Sequence, residues 1–167
     1  MRAARHRVLT LATVAAAVGG TLLPAGCSSG GAGCTSQNVT VQNVVLSSIS
    51  AAFDVHVTVK SPDGKPITGA SVGFTAWGTQ PGQTGSVGVP IGTATTDASG
   101  RATLAMPAIV QGYEVSGLGK IAGTSLVKLG ARTAARAVSG TSYCEGDADV
   151  PVSCGAAGQA CPVISVP

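Results

Sequence analysis

The sequence predicts an all-β protein in which about seven short strands form an antiparallel sandwich. Apolar and polar side chains alternate in three segments of the 167-residue chain, at positions 53–60, 70–76 and 102–106. Clusters of Gly, Pro, Asp and Ser separate such segments at intervals of roughly 8–12 residues. Because a period of two places alternate side chains on opposite faces of a strand, each segment is expected to bury one face.

The first strand region is residues 39–46, "VTVQNVVL", which is rich in β-branched residues. Residues 53–60 carry the clearest alternation, with Phe53, Val55, Val57 and Val59 against Asp54, His56, Thr58 and Lys60. The segment "SPDGKP" that follows is dense in turn formers, since Pro62 presets its own φ angle and Gly64 tolerates a positive one.

The second alternating run places Ala70, Val72, Phe74 and Ala76 on one face. Residues 78–86, "GTQPGQTGS", predict a long loop, and residues 87–95 predict a strand in which Pro90 indicates a sheet edge or a bulge. A tight turn at 96–100, "TDASG", precedes the strand with Ala102, Leu104 and Met106. Tyr113 and Val115 begin a further short strand.

Residues 124–138, "TSLVKLGARTAARAV", fit two structures. As a strand, the segment puts Val127, Leu129, Ala131, Ala135 and Ala137 on one face. As a helix, it stacks Lys128, Arg132 and Arg136, and its Ala, Leu and Arg residues favour that state. We favour the strand because every clear element nearby is a strand. The tail from Tyr143 onward, which holds three cysteines among Gly, Asp and Pro, predicts a disulfide-stapled loop.

The N-terminus has the three parts of an export signal. Arg2, Arg5 and Arg7 form a basic head, residues 8–23 are uncharged and mostly apolar, and "PAGC" ends the segment at Cys27. Cleavage after Ala25 by an ordinary signal peptidase would leave five cysteines. The second route is lipoprotein processing, because "PAGC" resembles a bacterial lipobox, whose Cys is lipid-modified with acyl chains such as palmitate. Pro24 departs from that pattern, where an aliphatic residue is usual.

Cysteine parity favours the lipoprotein route. With Cys27 lipidated, four cysteines remain, an even number that suits two disulfides. Those four are Cys34, Cys144, Cys154 and Cys161. Of the three possible pairings we prefer Cys34 with one tail cysteine and the other two paired locally. The Ser/Gly run after Cys27 predicts a flexible tether between membrane and domain.

Composition excludes several classes of function. Three of the ten basic residues leave with residues 1–26, so the mature chain has seven basic and seven acidic residues and no net charge. Nothing global therefore argues for nucleic-acid binding. The mature chain has a single histidine, His56, and no obvious pair of catalytic carboxylates, so we expect no enzyme, no cofactor and no metal.

Two stretches, "GKPITGASVGFTAW" and "IGTATTDASGRATLAM", resemble the bacterial immunoglobulin-like domain of the invasin/intimin type. They are also similar to transthyretin-like and carboxypeptidase-regulatory-like domains. The first half of the pattern matches Gly64, Pro66, Gly69, Val72 and Phe74, and the second half matches Gly92, Thr96, Asp97, Gly100, Ala102 and Leu104. The resemblance implies an immunoglobulin-like β-sandwich that serves as a stalk, adhesion or binding module. It also implies that Asp97 caps a turn.

Each candidate site has a structural alternative. Trp77, the only tryptophan, points away from the core by parity with Phe74, and it is either a binding anchor or a cover under the long loop. Glu145, Asp147 and Asp149 are either oxygen ligands for calcium or part of a solvated loop flanked by disulfides. His56, two positions after Asp54, is more typical of a solvated strand face than of a catalytic Ser/His/Asp arrangement. Lys128, Arg132 and Arg136 would contact lipid headgroups or a polyanionic wall polymer, or simply form a solvated face.

These observations divide the chain into four parts. Residues 1–26 are a signal peptide, 27–36 the lipidated cysteine and tether, 37–140 the immunoglobulin-like sandwich, and 141–167 a Cys-rich tail packed on the same domain. We expect an exported, lipid-anchored protein of the cell membrane or surface that binds, adheres or supports without catalysis. Its partners would be the membrane and an unknown protein or cell-wall polymer. The alternatives are an accessory domain of an envelope enzyme or transport system, or a small-ligand or ion carrier.

Overall fold

The computed structural model describes residues 33–48, 51–107, 123–155 and 159–164, and within these ranges every regular element is a strand. The strands are β1 (Asn38–Val41), β2 (Val44–Leu46), β3 (Phe53–Lys60), β4 (Ser71–Thr79), β5 (Ser86–Thr95), β6 (Arg101–Met106), β7 (Ser125–Thr133), β8 (Arg136–Val138), β9 (Thr141–Tyr143) and β10 (Gly146–Cys154). The predicted all-β class is confirmed. Seven of these strands are four residues or longer.

The strands form two main sheets. One has the order β1-β3-β6 and is antiparallel, and the other has the order β2-β10-β7-β4-β5. The five-stranded sheet is mixed, because β2 runs parallel to β10 while its other pairs are antiparallel. Strands β8 and β9 form a separate hairpin. The immunoglobulin-like assignment itself stays a prediction.

The core lies between the two sheets and is built by the predicted alternation. In β3, Val55, Val57 and Val59 are fully buried. In β4, Val72 is fully buried and Phe74 is 1% exposed. Each such side chain contributes about 1.5–3 kcal/mol when it leaves water. The polar partners of the alternation lie on the outer faces, which is why β3 shows its clear period of two.

The first strand region differs from the prediction. Residues 39–46 do not form one strand, because β1 pairs with β3 in one sheet and β2 pairs with β10 in the other. Gln42 and Asn43 lie between them, where the chain crosses between the layers. Residues three positions apart point to opposite faces of a single strand, yet Val41 and Val44 are both buried. The crossing between the sheets therefore changes which alternate residues face the core.

Pro90 lies where the sequence predicted, in an edge strand and at a bulge. Strand β5 ends the order of the five-stranded sheet. Phe74 pairs with Gly92 and Thr75 with Pro90, so Ile91 is the extra residue. Ile91 is buried at 6% exposure, and the missing N–H of Pro90 is tolerated at this irregular edge.

Residues 125–133 form a strand, as we favoured, but the predicted buried face is wrong in part. A register shift places Trp77 opposite Lys128 and Gly78 opposite Leu126, so Val127 is an extra residue. Leu126 is therefore buried with Leu129 and Ala131, while Val127 is partly exposed. Ala135 and Ala137 are exposed because β7 ends at Thr133 and the hairpin begins.

The predicted stapled tail is present, but its residues 146–154 form a strand rather than a loop. Ala148, Val150 and Val152 face inward and alternate with the exposed Asp147, Asp149 and Pro151. Strand β10 lies between β2 and β7 in the sheet. The disulfides pair Cys34 with Cys144 and Cys154 with Cys161, which confirms the preferred pattern of one bond across the domain and one local bond.

The predicted signal peptide, the predicted lipidation site Cys27 and the strand predicted at Tyr113 and Val115 lie outside the described residues. In the ranges that are described, no helix is long and apolar enough to cross a membrane.

Candidate functional site

Trp77 lies on the outer face of the five-stranded sheet, as its parity with Phe74 predicts, and is partly exposed. Its ring covers two glycines on the neighbouring strands. A Cβ added at Gly88 of β5 would lie 2.6 Å from the indole Nε1, and one added at Gly130 of β7 would lie 2.8 Å from Cη2. Because neither glycine has a side chain, the ring can lie flat against the backbone of both strands. The packing of the ring offsets the loss of strand stability that glycine causes.

Lys128 covers the other side of the same ring. Its Nζ lies 4.3 Å from the ring centroid and 2.7 Å from Oδ2 of Asp149 on β10. A cation–π contact of this kind contributes about 0.5–1 kcal/mol at a partly exposed position. Trp77 is therefore held between the sheet and an ion-paired ammonium group. A ligand that stacks on the ring has to displace Lys128.

The remaining charges on this face form a second ion pair. Arg132 Nη2 donates to Oε2 of Glu145 over 2.6 Å, and Asp147 lies opposite Arg132 in the register of β7 and β10. The hydrogen bond to Glu145, reinforced by that carboxylate's charge, raises the pKa of Arg132 above its usual value. We define the outer face by Trp77, Lys128, Arg132, Asp147 and Asp149, and call it the Trp77 face.

The three basic residues predicted to share one side do not do so. Arg136 lies in the β8–β9 hairpin, where its Nη1 donates to the carbonyl of Gly69. Lys128 and Arg132 lie on the Trp77 face, and each is paired with a carboxylate. This geometry gives no continuous basic strip for a polyanion.

The three carboxylates considered for calcium, those of Glu145, Asp147 and Asp149, do not converge on one point. Glu145 is paired with Arg132, and Asp149 is paired with Lys128. Within the described ranges, no group of three His, Cys, Asp or Glu residues is arranged to hold a metal ion. His56 lies on the outer face of the three-stranded sheet, and its Nδ1 is 2.9 Å from Oγ1 of Thr103 on β6.

Asp97 caps its turn as the resemblance implies. Its Oδ1 accepts hydrogen bonds from the amides of Ser99 and Arg101, at 2.8 and 3.0 Å, and from the Ser99 hydroxyl. These bonds, led by that of the Ser99 side chain, lower the pKa of Asp97. Asp97 is thus fully used by the turn.

Thr96, for which no role was predicted, is 3% exposed. Its hydroxyl donates to the carbonyl of Ile67 over 2.7 Å and accepts from the amide of Ala70 over 2.8 Å. Thr96 therefore ties the start of β4 to the end of β5. Its place beside Asp97 in the matched motif was the available signal.

A surface cleft of about 550 Å³ lies between the turn at residues 61–66 and the β8–β9 hairpin, and Tyr143 is part of its wall. Asp63 and Lys65 form an ion pair of 2.9 Å at its rim. The Ser61 hydroxyl donates to Asp63, and this bond, followed by that of Lys65, lowers the pKa of Asp63 to about 2. A second cleft of about 260 Å³ lies on the outer face of the three-stranded sheet, beside Lys60.

No protein-family model matches the chain, and no curated protein matches it significantly.

Proposed function

We propose that this chain is an exported cell-envelope lipoprotein, anchored through Cys27, whose β-sandwich binds, adheres or supports at the membrane or cell surface without catalysis. The immunoglobulin-like interpretation of the sandwich is part of this proposal. The membrane is one partner, and a protein or cell-wall polymer is the other.

The observation that carries the proposal is the use of the cysteines. Cys34, Cys144, Cys154 and Cys161 are paired with one another in two disulfides. Structural disulfides are typical of exported proteins in oxidising compartments. Of the five cysteines, only Cys27 is left over, and it follows the export-signal pattern at the lipobox-like "PAGC". Lipidation gives this odd cysteine a use, and two or more acyl chains anchor a protein stably.

The surface features support a binding or structural module over a catalyst. Both cations of the Trp77 face are in ion pairs, Lys128 with Asp149 and Arg132 with Glu145. Asp97 is used by its own turn. Asp63, whose pKa is strongly lowered, owes this to a local hydrogen bond in an exposed turn. The two clefts described above are open at the surface, whereas a small-ligand carrier would need an enclosed apolar pocket.

The anchor is tested with the full chain expressed in a bacterial host that processes lipoproteins. We expect the wild-type mature protein to begin at Cys27, carry acyl chains and fractionate with the membrane. Cys27→Ser abolishes the lipid and releases the protein, whereas the neighbouring Ser28→Ala changes neither. Membrane release of the wild type, or an unmodified Cys27 in its intact mass, would contradict the proposal.

The binding role is tested on the Trp77 face. Trp77→Ala removes the ring and frees Lys128, so we expect attachment to cells or to isolated wall polymers to weaken at least several-fold. Trp77→Phe keeps an aromatic cover over the two glycines and serves as the matched control for folding. If Trp77→Ala binds as well as the wild type while remaining folded, Trp77 is a structural cover and has no part in binding.

A further inference from the structure

The strand registers divide the sandwich into two ends. At one end lie the turns at residues 61–66 and 97–100 and the β8–β9 hairpin, because the end of β3, the start of β6 and the end of β7 meet there. At the other end lie the loop at residues 80–85 and the Cys154–Cys161 bond. We call the first the tethered end, because the N-terminal segment is fastened to it, and the second the far end.

The N-terminal segment is fastened to the tethered end. Cys34 is bonded to Cys144 directly after β9, and the amide of Thr35 donates to the carbonyl of Ser142 over 2.7 Å. The amide of Cys144 donates back to Thr35 over 2.9 Å, and the Gln37 side chain donates to the carbonyl of Cys144 over 2.5 Å. The first described range of the chain therefore begins at this end, at Gly33 and Cys34.

The reach of the chain keeps this end close to the lipid. Cys27 lies seven positions before Cys34, and seven residues span at most about 25 Å when fully extended. Strand β4, with nine residues, spans about 30 Å between the two ends. A tether of this length allows the domain to stand on its tethered end or to lie on its side, and the charges decide between these orientations.

The charges of the two ends differ. Lys60 and Arg101 lie on the outer face of the three-stranded sheet at the tethered end, where Thr58 pairs with Arg101 and Lys60 is two positions further along β3. Both are exposed, and within the described part of the chain neither is in an ion pair. Within the described residues, the exposed charge on the same face near the far end is Asp54. At the tethered end, the adjoining turns also expose Asp97 and the Asp63–Lys65 ion pair, so these turns and this face together carry three cations and two carboxylates.

We propose that the tethered end docks on anionic lipid headgroups through Lys60 and Arg101, so that the far end and Trp77 point away from the membrane. This inference rests on the proposed lipid anchor. An exposed cation close to an anionic membrane strengthens the contact about fivefold, which corresponds to about 1 kcal/mol. The tethered end keeps a surplus of positive charge after Asp63 and Asp97 are counted, whereas Asp54 at the opposite end is repelled by the same surface, and this difference favours the upright orientation.

The experiment uses the lipidated full chain, with its lipid verified by intact mass, in vesicles of phosphatidylglycerol and phosphatidylcholine that carry a headgroup nitroxide. Because Trp77 is the only tryptophan, its replacement by Phe allows a single reporter to be placed elsewhere. Ala98→Trp reports from the exposed turn of the tethered end and Gln83→Trp from the exposed loop of the far end. We expect the nitroxide to quench the Ala98→Trp fluorescence at least threefold more strongly than that of Gln83→Trp.

The contribution of Lys60 and Arg101 to docking is tested in the Ala98→Trp background. Lys60→Gln with Arg101→Gln should reduce quenching on anionic vesicles at least twofold and leave it unchanged on pure phosphatidylcholine. Lys128→Gln removes one charge from the Trp77 face and should have no effect. Equal quenching of the two reporters on verified lipidated protein overturns the docking and leaves the anchor intact. Absence of lipid on Cys27 overturns both.

Discussion

The position of Trp77 against Gly88 predicts a coupling that can be measured. In the wild type, Gly88→Ala places a methyl group 2.6 Å from the indole Nε1 and 3.0 Å from Cδ1. The ring has to move, and in moving it loses its contacts with Gly130 and Lys128. Overpacking of this kind costs about 1–3 kcal/mol.

When Trp77 is already alanine, Gly88→Ala is expected to raise the free energy of unfolding instead of lowering it. The three nearest neighbours of the added Cβ all belong to Trp77, so they are absent when Trp77 is alanine. Gly88→Ala in that background should stabilise the strand by about 0.5–1 kcal/mol, because alanine loses less backbone freedom on folding than glycine. The difference between the two backgrounds is a coupling of about 1.5–4 kcal/mol.

Equilibrium urea unfolding of the four proteins in the cycle measures this coupling, with both disulfides kept oxidised. Gly85→Ala is the matched control, because its added Cβ has no neighbour within 4 Å and it should be additive with Trp77→Ala. Additivity of Gly88→Ala and Trp77→Ala to within about 0.5 kcal/mol would refute the assigned position of the ring.

Three further predictions concern the turns and the long disulfide. Asp63 should titrate near pH 2 by carbon-13 NMR, so its contribution to stability is present above pH 3.8 and lost as the pH falls toward 2. Ser61→Ala should raise that midpoint, and an unchanged one would remove the hydroxyl as the main cause. Gly100 and Gly64 both have positive φ, but only at Gly100 would an added Cβ lie 2.5 Å from a backbone carbonyl oxygen, that of Val59. Gly100→Ala should therefore lower the thermal unfolding temperature more than Gly64→Ala does, and equal losses would contradict this. Replacing the Cys34–Cys144 bond with two alanines should cost about 4.7 kcal/mol, since it closes a 110-residue separation, and a loss below about 1 kcal/mol in urea would show that the bond constrains little.

The fold was predictable along strands that contain no extra residue of their own. Strand β4 is such a strand, although both of its partner strands carry a bulge beside it, at Ile91 and at Val127. The alternation of β3 and β4 assigned the buried side chains correctly because a period of two persists along an unbroken strand. It failed at Val127, where a bulge shifts the register, and between Val41 and Val44, where the chain changes sheets. Local sequence does not contain these interruptions, because they depend on the partner strand.

The site was predictable only in part for the same reason. Parity along β4 placed Trp77 on the outer face without knowledge of its neighbours. The contacts with Gly88 and Gly130 depend on how three strands align, so they could not be predicted from any one segment. The pairing of Lys128 with Asp149 likewise follows from the register of β7 and β10, and it turned an expected basic strip into neutral pairs.

The anchor at Cys27 is the proposition on which the cellular role depends, and the intact mass of the natively produced protein tests it most directly. We expect a mature chain that begins at Cys27, carries acyl groups and takes up no alkylating reagent unless it is first reduced. A chain with free, alkylatable Cys27 thiol and no added lipid would contradict the account.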